Sequence, residues 1–210
     1  RVHPEDRGLI TSTFQEALTS GRPYECNHRL LFPDGRLKFV RARGNIRFTS
    51  DGKPLVFIGT MLDLTQLHEA QERLLLYAHI FEQSNEAIVI TSTENNIITV
   101  NPAFTRLTGY TLAEVAGRNP RTLASGKTPR ETYESLWHSL NTQGHWCGEL
   151  WDKRKDGSIY PKLATISVIR DTAGRHINYL ASFVDISERK AEEKRIEQLA
   201  HHDTLTGLHN

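Results

Sequence analysis

No stretch of this chain stays apolar for the ~20 residues that a membrane-spanning helix needs, and nothing near residue 1 reads as a signal peptide. Charge of one sign is also missing: 26 Lys and Arg stand against 25 Asp and Glu, a formal net charge of +1. That balance builds no field to recruit nucleic acid or an acidic membrane, so neither is expected as a partner. Cysteine is scarce. Cys26 and Cys147 are the only two. They form no Cys-x-x-Cys pair, so they are expected to be free thiols, small semi-buried strand residues in a reducing cytoplasm. Catalytic signatures are absent: there is no Gly-x-Ser-x-Gly, no His-Glu-x-x-His and no phosphate-cradling glycine loop. His201-His202-Asp203 invites a metal or phosphoacceptor reading, but neighbouring helical side chains point about 100° apart, and a surface helix end is the simpler reading. The segment itself is therefore expected to do no chemistry. It begins at Arg1 rather than Met, which suggests a piece of a longer, cytoplasmic protein and leaves an upstream membrane anchor open.

What is present is a repeat. The stretch 144–187 holds three β-rich runs, at 146–154, 159–170 and 176–186. Turns at Lys155-Asp156-Gly157 and Asp171-Thr172-Ala173-Gly174 separate them. Asp-Gly between such runs is a hairpin signal, because glycine reaches positive φ cheaply. The pattern also occurs earlier at a constant offset: Gly35 to Gly157, Gly52 to Gly174 and Asp63 to Asp185 are each 122 residues apart. Three matches in register imply two tandem copies of one domain. Domain material in the second copy begins near Gln83. Subtracting the offset places the start of the first copy before residue 1, so that copy is expected to lack roughly its first 40 residues.

In chain order, residues 1–21 predict a turn and a helix with Phe14, Ala17 and Leu18 on one face and a stop at Gly21. Strands are expected at 24–32, 37–48 and 54–64. Residues 66–82 read as a connecting helix. Leu67, Ala70, Leu74, Tyr77 and Phe81 recur at 3–4 spacing, a stripe that either packs on its own domain or forms a two-stranded helical seam. The second copy predicts β-β-α-α-α-β-β-β. Its first helix is capped by Asn101 with Pro102 at the first position, and its third by a Thr128–Glu131 capping box. A charged helix follows from Glu188, with Ile196 and Leu199 as its strong apolar positions.

These motifs resemble a known family. NPAFTRLTGYTLAEVAGRNP at 101–120, the RKDG turn and FVDIS at 183–187 resemble the PAS sensory domain with its PAC-type C-terminal part, over all of 83–188. HPEDR at 3–7, PDGR at 33–36 and GTMLDLT at 59–65 resemble the later part of a second PAS domain. DTLTGLHN at 203–210 resembles the opening of the GGDEF domain of bacterial diguanylate cyclases. The resemblance implies an α+β fold: a five-stranded antiparallel sheet with short helices on one face, in two copies joined by a helix, the first incomplete. The implied organisation is a partial PAS domain at 1–65, the connecting helix at 66–82, a whole PAS domain at 83–188, a signalling helix at 189–202 and the start of a GGDEF domain at 203–210. The function it implies is detection of a signal and its transmission to an output that makes cyclic di-GMP. Alternatives are a protein-binding scaffold with no small ligand, or input to a GGDEF–EAL phosphodiesterase. GTP and Mg²⁺ would bind only in GGDEF sequence beyond Asn210.

The same resemblance marks Trp137, Asn119 and Asp152 as candidate pocket residues of the second copy. Light-oxygen-voltage domains carry a reactive cysteine after Gly-x-Asn, whereas here Gly117-Arg118-Asn119 is followed by Pro120. Redox-sensing flavin domains of the nitrogen-fixation regulator type share the G-x-T-P-x-x-x-Y-x-x-L-W pattern at 126–137, and Trp137 fits their flavin-packing tryptophan. Their acidic residue falls at Pro120 and their flavin-contacting asparagine at Asp152. Proline offers no side-chain partner and an ionised aspartate cannot donate, which argues against flavin. Haem would need an inward histidine, and His138 or His145, at a helix end, is weak support for one. The ligand is left unnamed. A homodimer through helices 66–82 and 189–202 is the expected assembly.

Overall fold

The computed structural model describes residues 1–201, with side chains to residue 197. His202 and the 203–210 motif lie outside the described residues. The chain divides into two compact units, Arg1–Tyr77 and a second from Ala78 onward.

In the first unit, helix α1 (Arg7–Ser20) stops at Gly21, whose φ of 67° is the left-handed conformation that glycine adopts without strain. Strands β1 (Tyr24–Leu31), β2 (Leu37–Phe48) and β3 (Pro54–Asp63) form an antiparallel sheet in that order. Asp6, just before α1, anchors the helix to β1 by accepting from Arg29 N at 2.7 Å. Of the expected stripe on α1 only Ala17 is buried. Phe14 instead closes an edge-on cluster of three rings with Tyr24 and Phe57. Gly44 and Gly59 face each other across β2 and β3. A Cβ on Gly44 would lie 2.6 Å from the Phe57 ring, so these glycines let that ring lie on the sheet. Helix α2 (Thr65–Gln83) follows and buries none of its residues.

In the second unit, β4 (Ala87–Thr91) and β5 (Ile97–Val100) precede α3 (Pro102–Thr108), α4 (Leu112–Val115) and α5 (Arg130–Gln143). Then come β6 (His145–Lys153), β7 (Ile159–Arg170), β8 (His176–Asp185) and α6 (Ser187–His201). All pairings are antiparallel, and the sheet order is β5-β4-β8-β7-β6. The last strand thus lies at the centre of the sheet, between the hairpin β4–β5 and the hairpin β6–β7. Phe104 and Phe183 pack edge-on in a core shared with Leu136, Leu140, Trp146 and Leu150. Asn101 is the expected cap and does more. Its carboxamide oxygen accepts from Phe104 N and Ile88 N, and its nitrogen donates to Glu86 O and Phe81 O. All four hydrogen-bonding positions of this buried amide are filled, as burial demands.

Two local expectations are corrected. Thr128 does not cap α5: its hydroxyl accepts from Trp151 N at 2.8 Å, so the side chain is committed to β6. The carboxylate that caps a helix by reaching back is Glu114, which accepts from the N–H and hydroxyl of Thr111 at 3.0 and 2.9 Å. A hydrogen bond from Lys155, then those from Thr111, hold its carboxyl down at about 2. The cysteines also differ. Cys26 is buried and Cys147 exposed. By the repeat offset Cys26 matches Gly148, not Cys147, and a shift of one position along a strand turns a side chain to the opposite face.

Candidate functional site

Between the helical layer and the sheet of the second unit lies a cavity of about 320 Å³, at the small end of the range for ligand pockets. Strands β7 and β8 supply its floor through alternate residues, Lys162, Ala164 and Ile166 on one and Tyr179, Ala181 and Phe183 on the other. Leu136, Trp137 and Leu140, spaced along one face of α5, form a wall. Trp137 packs edge-on against Tyr179 with ring centres 5.8 Å apart. The lining is mostly apolar, and its polar groups are few.

Two of those polar groups are charged and buried together. Lys162 Nζ lies 2.5 Å from Asp152 Oδ2, with side-chain exposures of 10% and 7%. The ammonium also sits 4.1 Å from the centre of the Phe183 ring. The third charged lining residue, Arg121, makes no ion pair among the described residues. Asn119 lines the cavity too, and its oxygen accepts from Arg121 N at 3.0 Å to start the turn Pro120–Leu123. A bridge from Ala124 to Asp152 ties the end of that turn to β6. Nearby, the Tyr160 hydroxyl is buried with no hydrogen-bond partner among the described residues. Burial, and then the Asp152 charge, push its ionisation upward, so it stays neutral.

The floor leads directly to a clasp. Phe183 is two residues before Asp185, the last residue of β8, and α6 begins at Ser187. Asp185 accepts from Ser187 N at 2.7 Å and pairs with Arg154. Burial alone would raise the Asp185 carboxyl, but the bonds from Ser187 and Arg154 outweigh it and the net direction is downward. Arg154 also donates to Leu107 O at the end of α3 and lies over the Tyr160 ring at 4.0 Å. Ile186 N donates to Pro161 O at 3.0 Å. Glu149 then holds the first turn of α6, 3.3 Å from Arg189 and 2.6 Å from Lys190. The first unit repeats the backbone part of this device 122 residues earlier, Asp63 accepting from Thr65 N and Leu64 N donating to Phe39 O, but its basic partner is Lys38, at the position of Tyr160 rather than Arg154.

Residues 85–188 match the family described as PAS domain, and residues 1–61 match that described as PAS fold. Both units belong to the PAS family. A nitrogen fixation regulatory protein of Klebsiella oxytoca is 40% identical over 142 residues, which is 68% of this chain and 27% of that protein. A probable diguanylate cyclase, DgcE, of Escherichia coli strain K12 is 24% identical over 216 residues, all of this chain and 19% of that one. The chain therefore spans less than a third of these relatives. The crystal structure of a PAS domain from Colwellia psychrerythraea has a TM-score of 0.53 at 25% identity, covering 56% of this chain and 99% of the other. The PAS domains of this chain thus have homologues in signalling regulators.

The second PAS domain brings Asn119, Trp137 and Asp152 to one cavity. Asp152 is engaged by Lys162, so this candidate pocket position carries an ion pair. His138 and His145 are exposed, and neither lines the cavity. Sequence reading missed Lys162 and Arg121. The repeat held a signal for the first: subtracting 122 puts Val40 at Lys162 and Leu30 at Asp152, so apolar positions of the first domain become a charged pair in the second.

Proposed function

We propose that the second PAS domain responds to a small molecule in its cavity and passes that state through α6 to a GGDEF output making cyclic di-GMP. The observation that carries this reading is the path of β8, which lines the cavity with Tyr179, Ala181 and Phe183 and runs on into the Asp185–Ser187 clasp that starts α6. The eight residues 203–210 and the similarity to the E. coli protein along the whole chain support the output. Two cyclase sites must face each other, each with one GTP, so rotation of the helix sets the rate. One residue inserted after Lys194 turns everything downstream by about 100°, whereas seven come within about 20° of restoring phase. In the full-length protein, inserting one or two residues should change cyclic di-GMP production strongly and inserting seven should change it little. Production indifferent to insertion length would reduce α6 to a tether.

A second reading, a dimerisation scaffold, has α2 in its favour. Leu67, Leu74 and Tyr77 of the 3–4 stripe are all more than half exposed. A second copy of the same helix in parallel supplies the matching seam. The two readings are compatible, because a dimer is what an output needing paired sites requires.

A further inference from the structure

We propose that the cavity of the second PAS domain takes a small apolar monocarboxylate, with the acid group held by Lys162 and Arg121 and the apolar body lying against Phe183 and the α5 wall. The inference rests on reading the cavity as a ligand site and adds the chemical class of the ligand. Three observations carry it.

The buried ion pair is not needed to build the fold. The same two sheet positions in the first PAS domain hold Leu30 and Val40, and the strand registers there correspond, Leu30 opposite Lys38 as Asp152 is opposite Tyr160. Buried ion pairs commonly contribute no more stability than apolar residues of similar size, because desolvation offsets their attraction. A pair that the fold does without in one copy is retained in the other for recognition.

The charges of the lining do not cancel. Arg121, exposed at the edge of the cavity, and Lys162 against Asp152 give the lining a net charge of one positive unit. A single anionic group balances that charge, drawn by the Arg121 guanidinium at the exposed edge and by the buried Lys162 ammonium within.

Lys162 also has a donor to spare. An ammonium carries three N–H groups. One is taken by Asp152, and the Phe183 ring lies beside the group. No other protein acceptor is within reach among the described residues, so an N–H remains for a ligand oxygen. The rest of the lining is largely hydrocarbon, including Leu136, Leu140 and Ile166, with Thr91, Asn95 and Asn119 as its uncharged polar side chains.

The test is calorimetric titration of the whole 210-residue protein with octanoate and with 1-octanol, which share a tail and differ in the head. Octanoate is expected to bind about tenfold more tightly, the scale of one hydrogen bond to a charged group. The variant Asp152→Leu/Lys162→Val, which copies the first domain, should keep octanol binding and lose the preference for octanoate. Arg121→Gln should weaken octanoate several-fold and leave octanol unchanged. Equal affinity for both probes in the unaltered protein would overturn the acid assignment and leave the ligand site standing. Failure of both probes to bind would overturn the ligand site as well. An octanoate preference that survives in the double variant would place the anion elsewhere and overturn the assignment to Lys162.

Discussion

Replacing Lys162 by methionine leaves the Asp152 carboxylate buried with its one side-chain hydrogen-bond donor gone. Both partners are about nine-tenths buried, so solvent does little to screen the loss. Removing one member of such a pair costs about 3–5 kcal/mol. At a urea slope near 2 kcal/mol per M, the unfolding midpoint falls by about 2 M. Asp152→Leu/Lys162→Val removes both charges and inserts the residues that the first domain tolerates at these positions. It should unfold at the wild-type midpoint or above, the gain reaching about 1–4 kcal/mol where packing is good. The coupling between the two sites is then several kcal/mol, far outside the additivity expected of independent residues. Tryptophan fluorescence is the right assay, because Trp137, Trp146 and Trp151 all lie in the second domain and the first has none. If Lys162→Met and the double variant both unfold within 1 kcal/mol of wild type, taken as roughly the size of an exposed pair, the ammonium and carboxylate are solvated and the argument from burial fails.

Other outcomes follow from the same structure. Gly148→Ala would place a Cβ 2.4 Å from the Trp146 ring; a buried ring yields poorly, so a loss of about 1–3 kcal/mol is expected, with a shift in the Trp146 emission. Glu114, held at about 2 by Lys155 and Thr111 against an ordinary value of 4.5, contributes stability that is complete above the ordinary value and is lost as pH falls through the folded one; in Glu114→Gln the urea midpoint should fall less steeply across that acid range. Leu74→Asp puts a charge into the α2 stripe, so light scattering should report a dimer for the unaltered protein and a monomer for the variant. A dimer that survives the substitution would place the interface elsewhere.

The strands were legible because their punctuation is chemical. Asp34-Gly35 and Asp156-Gly157 demand positive φ, and both glycines adopt it, at 85° and 88°. The central place of β8 was not legible, since pairing order depends on contacts between residues far apart in the chain. The Thr128 box failed for a physical reason: a hydroxyl two residues before a helix competes between the helix end and any nearby strand, and Trp151 N won. Thr111-Leu112-Ala113-Glu114 carries the same threonine–glutamate spacing, and there the carboxylate does reach back. Of the cavity, the resemblance reached Asn119, Trp137 and Asp152, all of which line it. Lys162 escaped notice because a lysine in a strand normally marks the wet face. Only alignment of the two copies places it at the inward position of Val40. Arg121 gives no signal of its own, because its place depends on how the turn Pro120–Leu123 is fastened to β6.

Arg154 bears on the order in which the second PAS domain assembles. Its partners Leu107 and Asp185 lie 47 and 31 residues away along the chain, so neither bond can form until the helices have docked and the last strand has been inserted. Contacts of such long range close late in folding, after local hairpins have formed. The seat from which α6 departs is therefore among the last parts completed. A partly folded domain lacks it, and its helix leaves the sheet without a fixed direction. If α6 carries the output proposed above, a domain without a finished core would lack the seat that fixes the direction of that helix.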